Sequence, residues 1–266
     1  MRLENRVAVV IGAGQSPGES VGNGRATALT FAREGAKVLC ADLHLERAEA
    51  TVELIERAGG TAEAVRMDAT DEEDVAHLFA RCQARWGHLD ILHCNVGTSL
   101  AGGDAVLTEL QPEAFDSLTA TNLKSVVLAC KHVLPILRDQ GSGSITTIAA
   151  TAAVVDYPYV AYKTSKAGVI ALTQHVAITN ARYGIRANTI LPGLMYTPMA
   201  IETRIGVLAD TREEVVALRD ARVPLRGKMG TAWDVANAAL FLNSDEAGFI
   251  TGVALPVDGG QLLKIG

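Results

Sequence analysis

The stretch Ile11-Gly12-Ala13-Gly14-Gln15-Ser16-Pro17-Gly18-Glu19-Ser20-Val21-Gly22-Asn23-Gly24-Arg25-Ala26 decides the fold. It follows a short apolar run, Arg6–Ile11, and leads into a helical pattern near Gly24–Glu34. A strand that turns through glycines into a helix lets the backbone approach a pyrophosphate. The helix start then offers unpaired N–H groups and a positive dipole end. Gly12, Gly14, Gly22 and Gly24 are the candidate cradle. A plain glycine-rich turn reads the same when it stands alone, so the rest of the chain has to decide.

Outward from this turn, short β-branched runs alternate with long amphipathic stretches. Further strands are expected at Lys37–Ala41, Thr61–Met67, Ile91–Cys94, Ser144–Ile148, Arg186–Ile190 and Ala254–Val257. Further helices are expected near Leu45–Ala58, Glu72–Trp86, Pro112–Gln140, Tyr159–Tyr183 and Trp233–Asn243. Strands separated by helices of this length predict an α/β, doubly wound Rossmann sheet with helices on both faces. No repeat, linker or composition break interrupts the pattern, so one domain is expected over residues 1–266.

Composition narrows the function. Apolar residues make up 48% of 266, enough for a continuous core, and no run is long enough to span a bilayer. The start, Met1-Arg2-Leu3-Glu4-Asn5-Arg6, is charged where a signal peptide needs an apolar stretch. A soluble, cytoplasmic protein is expected. With a net charge of −6 and scattered Lys and Arg, a nucleic-acid partner is not expected. The four cysteines (Cys40, Cys82, Cys94, Cys130) sit in apolar stretches without metal-ligand spacing. They read as reduced core residues, and no metal is expected. Val126–Leu134 and Val169–Ile178 are apolar nearly all round, which fits either deep burial or a second surface packed against a partner subunit.

Two carboxylates follow the glycine turn at strand ends. Asp42, closing the second strand, is placed to accept hydrogen bonds from an adenosine ribose and to repel a 2′-phosphate, which favours NAD over NADP. Asp68, with Ala69 beside it, ends the third strand near where an adenine would lie, although a helix N-cap before Glu72 would look much the same. Further on, Tyr162 and Lys166 lie four apart, on one face of a helix. A free tyrosine titrates near pH ~10, so proton exchange near neutrality needs a shift of about 4 kcal/mol, part of which an adjacent cation supplies. Alone, such a pair also reads as an ordinary surface pair.

Taken together, these marks resemble the short-chain dehydrogenase/reductases, in the branch with Tyr-x-x-x-Lys, over essentially the whole chain. The matching residues are the glycine loop, Asp42, Asp68, Asn95-Val96-Gly97, Thr121-Asn122-Leu123, Tyr162/Lys166, Pro192-Gly193 with Thr197, Ile250-Thr251-Gly252 and Val257-Asp258-Gly259-Gly260. The resemblance implies a single domain with a seven-stranded sheet in the order 3-2-1-4-5-6-7. Asn95 and Gly97 would line a nicotinamide cofactor, and Pro192, Gly193 and Thr197 would hold its nicotinamide end. It implies Tyr162 as acid–base group, Lys166 on the nicotinamide ribose lowering the tyrosine pKa, and Asn122 holding a water, though a helix-interior asparagine bonding a backbone carbonyl is the plainer alternative. A substrate lid over roughly 195–223 and a homotetramer are further implications.

Two departures stand out. Gly12 to Gly22 spans ten residues, six more than the family's usual spacing. Divergent enoyl-acyl carrier protein reductases stretch this loop too, but place the lysine six or seven beyond the tyrosine. Ser16 and Ser20 are the loop's candidate phosphate contacts. The second departure is Ala150, where a catalytic serine is expected. Thr151 is the nearest hydroxyl, although strand alternation would turn it away unless the strand has already ended. An NAD-dependent alcohol dehydrogenase or ketone reductase is the leading expectation, with a cofactor-binding protein of weak or lost catalysis as the alternative. Tyr157, Tyr159, Tyr196 and Thr98–Ala101 are pocket candidates, and a moderately apolar or cyclic alcohol is expected as substrate.

Overall fold

Val7–Ile11 (β1) runs through the centre of the computed structural model, which describes residues 1–264, with all five residues buried. Val7, Val9 and Ile11 face one helical layer, while Ala8 and Val10 face the other. A strand covered on both sides needs no polar face, which is why the run reads as continuously apolar. The remaining main-sheet strands are β2 (Lys37–Asp42), β3 (Thr61–Arg66), β4 (Ile91–Cys94), β5 (Gly143–Ile148), β6 (Ile185–Pro192) and β9 (Ala254–Val257). All pair in parallel, in the order β3-β2-β1-β4-β5-β6-β9. The expected strand order therefore holds. The seventh main strand is β9 because a separate two-residue ladder, β7 (Met195–Tyr196) with β8 (Gly230–Thr231), precedes it.

Helices α1 (Asn23–Arg33) and α9 (Ala232–Asn243) pack on the layer with Ala8 and Val10. Helices α3 (Glu72–Trp86), α5 (Ser125–Gln140) and α6 (Val160–Asn180) cover the other. Helix α2 (Leu45–Arg57) flanks β2 and β3. Local chemistry sets the ends. The Asp71 side chain accepts from the Asp74 N–H to start α3, and Gly87 closes it in the left-handed region at φ 77°. Helix α1 differs, since Gly22 precedes it with no side-chain cap. Its first N–H groups are left for something else.

Two expectations change. The single helix over Pro112–Gln140 is α4 (Pro112–Thr119), a π turn (Ala120–Lys124) and α5. The wide turn surrounds Asn122, whose side chain bonds outside the helix, and such turns absorb one extra residue. The Tyr159–Tyr183 helix ends at Asn180 and tightens into a 3₁₀ turn over Ala181–Tyr183 before Gly184. Residues 198–223 carry helices, α7 (Pro198–Ile201) and α8 (Arg212–Asp220), with an apolar cluster of their own made by Ile201, Val215, Val223 and Met229.

All four cysteines are buried thiols, and burial pushes Cys40, Cys82 and Cys130 up to about 12. Val126, Leu128, Ala129, Cys130, Val133 and Leu137 of α5 are buried within the chain, but Val127 and Ile178 of the two strongly apolar helices are exposed. No described helix is long and apolar enough to cross a membrane.

Candidate active site

Because the strands are parallel, their carboxyl ends lie on one edge, and nearly every candidate residue follows one of them. At the first, a Cβ on Gly24 would fall 1.9 Å from the Gly12 carbonyl oxygen, so α1 approaches the turn this closely only with glycine there. Around Gly22 there is open space, since a Cβ there would meet nothing within 4 Å. The Asp42 carboxylate accepts from the Gly14 N–H at 2.9 Å and from the His44 N–H at 3.1 Å. Gly14 therefore serves by seating Asp42. Asn95 donates to the Gly12 carbonyl at 3.1 Å, tying β4 to the same turn.

The lengthened loop is closed by Gln15, which donates to the Ser20 carbonyl and accepts from the Gly22 N–H. Of its two serines, Ser16 is exposed and Ser20 is buried. Ser20 Oγ and Asn23 Oδ1 are buried without a hydrogen-bond partner among the described residues, at the uncapped start of α1. The orphan Ser20 hydroxyl and the free N–H groups of an open helix N-terminus are donors that fit the phosphates of a dinucleotide. At the tip, Gly18 packs against Pro198 and Glu202, and Glu19 pairs with Arg212 at 3.3 Å. The extra residues reach the segment over 195–223, a contact that spacing alone did not foretell.

Asp68 is not the cap of α3. It accepts from the Thr70 N–H at 2.8 Å and hydroxyl at 2.7 Å, and these bonds hold its carboxyl below the ordinary range. Ala69 beside it is buried. At the other end of the cleft, the Gly193 N–H donates to the Val257 carbonyl and the Leu194 N–H to Gln261, fixing the turn after Pro192. Thr197 precedes α7, its carbonyl accepting from Ala200 and Ile201.

Tyr162 and Lys166 share a face of α6 toward the carboxyl ends of β4 and β5. Lys166 is 2% exposed, and its Nζ donates to the Ile148 carbonyl at 2.8 Å and the Val96 carbonyl at 3.4 Å. A Cβ on Gly97 would stand 3.0 Å from that Nζ. Burial lowers Lys166 to about 8. The lysine nitrogen lies 5.8 Å from the Tyr162 ring centroid. The expected lowering of the phenol does not hold for the chain by itself. Burial raises Tyr162 well above its ordinary value, Tyr157 and Asp104 add to this, and only Arg204 and Arg219 oppose it. Desolvation outweighs the neighbouring charge because the phenolate must leave water to sit there.

Asn122 is fully buried, donating to the Thr98 carbonyl at 2.9 Å and Ser165 Oγ at 3.1 Å while accepting from the Thr98 N–H at 2.8 Å. The backbone-carbonyl bond weighed as its plainer alternative is present, though to the loop after β4 and not within the helix. β5 ends at Ile148, and Thr151 opens a 3₁₀ turn. Its hydroxyl makes a long 3.3 Å contact to the Pro192 carbonyl. Ala150 and Thr151 are both buried.

Asp104 was missed by sequence reading. Buried after β4, it accepts from the Ala161 N–H and the Tyr162 N–H, each at 3.0 Å, and so caps the helix bearing Tyr162. Tyr159, at the helix's own N-cap position, makes no side-chain cap. Tyr157 stacks obliquely on Tyr162 with centroids 5.8 Å apart, and its hydroxyl lies 3.4 Å from Ser99 Oγ. Tyr159 packs edge-on against Tyr157, while the Tyr196 hydroxyl accepts from Arg212 at 2.7 Å.

Comparison with known proteins agrees with this geometry. A family model described as enoyl-(acyl carrier protein) reductase matches residues 19–261. The cis-4-hydroxycyclohexanecarboxylate dehydrogenase of Sinomonas cyclohexanicum is 39% identical over 256 residues, covering 96% of each chain. The 2-(R)-hydroxypropyl-CoM dehydrogenase of Xanthobacter autotrophicus is 37% identical over 257 residues, covering 96% of this chain and 98% of that one. A solved 7α-hydroxysteroid dehydrogenase, complexed with NADH and a 7-oxo bile acid, superposes with a TM-score of 0.86 at 30% identity, covering 97% and 95%. The chain belongs to the short-chain dehydrogenase/reductase family. It is an oxidoreductase of the kind that acts on CH–OH groups with a nicotinamide dinucleotide.

Proposed function

We propose that this chain interconverts a secondary alcohol and a ketone using NAD(H), with Tyr162 exchanging the proton. The observation that carries the reading is the placement of Tyr162 and buried Lys166 on one face of α6, against Gly97 and the carboxyl ends of β4 and β5. Gly12, Gly22 and Gly24 would admit the pyrophosphate, with Ser20 and Asn23 beside it. Asp42 and Asp68, with Ala69, would hold the adenosine end. Asn95, Gly97, Pro192, Gly193 and Thr197 would flank the nicotinamide. Asp42 favours NAD over NADP, because a 2′-phosphate would meet its carboxylate.

When bound, the dinucleotide accepts or supplies the hydride. Tyr162 Oη takes the proton from the alcohol hydroxyl, or returns it to the ketone oxygen. Lys166 holds a cation close beneath the phenol, and Asn122 fixes the loop after β4 against α6. The segment over 195–223 forms a lid, latched to the lengthened loop through Arg212 and Glu19. Exposed Val127 and Ile178 on α5 and α6 support a homotetramer. The lysine four residues after the tyrosine argues against an enoyl reductase-like activity. A cyclic alcohol suits the likeness to the hydroxycyclohexanecarboxylate enzyme.

One observation favours a second reading, a cofactor-binding protein with weak catalysis: Ala150 replaces the expected serine, and the Thr151 hydroxyl contacts the Pro192 carbonyl. A panel of cyclic ketones with NADH separates the two. Tyr162→Phe should lower kcat by about 10²–10⁴, and Thr151→Ala at least about tenfold if it supports the oxyanion. Tight NADH binding with no Tyr162-dependent turnover would leave the binding protein standing, and an unchanged kcat in Thr151→Ala would remove that threonine from the mechanism.

A further inference from the structure

Arg219 lies on the inner face of α8, one turn from Val215, and is only 6% exposed. Arginine is almost never buried this far without a partner. Yet its Nε has no hydrogen-bond partner, and no carboxylate pairs with its guanidinium among the described residues. Arg204, on the neighbouring 3₁₀ turn, uses one nitrogen on the Met199 carbonyl at 2.9 Å and also forms no ion pair there. The same segment does pair its other inward arginine, since Arg212 meets Glu19 and Glu202. The lack of a carboxylate at Arg219 is therefore not a general feature of the lid.

These two charges are close enough to Tyr162 to act on it. Both draw the Tyr162 phenol downward, and Tyr157 and Tyr162 act in return on Arg219. Burial and the like charge of Arg204 bring Arg219 down to about 10, which leaves it protonated at neutral pH. A standing cation, buried beside the acid–base group with its own donor unused, has a shape that a planar oxyanion completes. The guanidinium fork matches both oxygens of a carboxylate.

We propose that the substrate is an anionic alcohol or ketone, and that Arg219, assisted by Arg204, holds its carboxylate on the lid side of Tyr162. The proposal rests on the alcohol–ketone reading above and narrows its substrate class. An uncharged substrate, expected from the mixture of tyrosines and small residues, would leave Arg219 buried and unsatisfied. A cyclic skeleton remains compatible.

The test pairs 4-oxocyclohexanecarboxylate with its methyl ester as substrates for the NADH-loaded full chain. In parallel, calorimetry on the NAD⁺-loaded chain compares cyclohexanecarboxylate with cyclohexanecarboxamide, neither of which reacts. The carboxylate should be favoured by about 30-fold in kcat/KM and at least about tenfold in binding. Arg219→Gln should bring both ratios to within about threefold of unity, Arg219→Lys should keep part of the preference, and Arg204→Gln should reduce it. Ratios within one variant are insensitive to how much of it folds, and Arg204→Gln serves if Arg219→Gln does not fold. Equal use of acid and ester, a preference that survives both glutamine variants, or failure to bind either probe overturns the proposal. So does an equal loss on both substrates with a shifted alkaline limb, which would show the arginines acting on Tyr162 alone. Selective carboxylate binding without Tyr162-dependent turnover would sink the redox reading and leave the anion site. Tyr162-dependent turnover without anion preference would do the reverse.

Discussion

Lys166 and Arg219 are both buried cations on helices, and they solve burial in opposite ways. Lys166 is satisfied within the chain, its ammonium resting on the carbonyls of Ile148 and Val96. Arg219 is not, and its Nε stays without a partner. A cation completed by backbone is part of the scaffold whether or not a ligand is present. A cation left incomplete is stable only because the surrounding packing holds it, and it gains most when something negative arrives. The first marks the place of the proposed chemistry, and the second selects what is brought to it.

The comparison breaks most readily at Lys166. Lys166→Met should lower kcat at least about 10²-fold, and it should not raise the melting temperature, because the Ile148 carbonyl loses its donor. Steady-state rates and calorimetric melting on one preparation check both halves, and a more stable Lys166→Met protein would contradict the backbone-completed picture.

Asp104 is a buried anion that caps the helix with Lys166 from another part of the chain, whereas the helix with Arg219 starts on its own Thr211–Glu214 capping box. Asp104 caps α6 at the Ala161 and Tyr162 N–H groups from a loop some sixty residues earlier. Asp104→Ala should cost about 1–2 kcal/mol of stability. It should also lower kcat about tenfold, since small displacements of a reacting group are expensive, while Asp104→Asn keeps much of both. A loss of stability with full kcat would make Asp104 an ordinary cap with no hold on the position of Tyr162.

Removing the incomplete cation should have the opposite sign. Arg219→Met replaces an unpaired buried charge with a flexible apolar chain, and a gain of about 1–2 kcal/mol, or roughly 2–8 °C in Tm, is expected. A destabilised Arg219→Met protein would mean that the guanidinium has a partner inside the fold.

The smallest effect concerns a buried group that avoids the problem by staying neutral. His93 bonds Thr146, and burial holds it down to about 3. The folded state binds its proton less readily than the unfolded chain, so stability present above about pH 6.5 is lost as pH falls toward 3. Between pH 7 and 5.5 the native protein should lose about 1 kcal/mol more than His93→Gln. Parallel slopes in urea melts at the two pH values would show that His93 is not held neutral.

Much of this protein was readable along the chain. The β-branched runs, the glycine turn, the strand-end carboxylates and the Tyr162/Lys166 spacing are local patterns whose period of two or 3.6 residues survives in any context. They carried the strands and most helix limits, while the sheet order came from the family resemblance. The break at Asn122 was hidden, because the π turn exists only through bonds to Thr98 and Ser165, far away in the sequence. The purpose of the long glycine loop was hidden for the same reason, since Glu19 and Gly18 meet Arg212, Pro198 and Glu202 nearly two hundred residues on. One signal was present and passed over: Arg219 follows Val215 by four, a charge at a core position of an otherwise amphipathic helix.

The order of residues alone determined a doubly wound sheet, a helix start open to phosphate and a phenol with a lysine one turn away. Only the tertiary structure decided that burial raises that phenol, that Asp104 caps its helix and that Arg219 lies inside without an acid. Periodicity and spacing are properties of a single segment. Desolvation and charge pairing depend on which distant segments come together around a group, and no segment carries that information by itself.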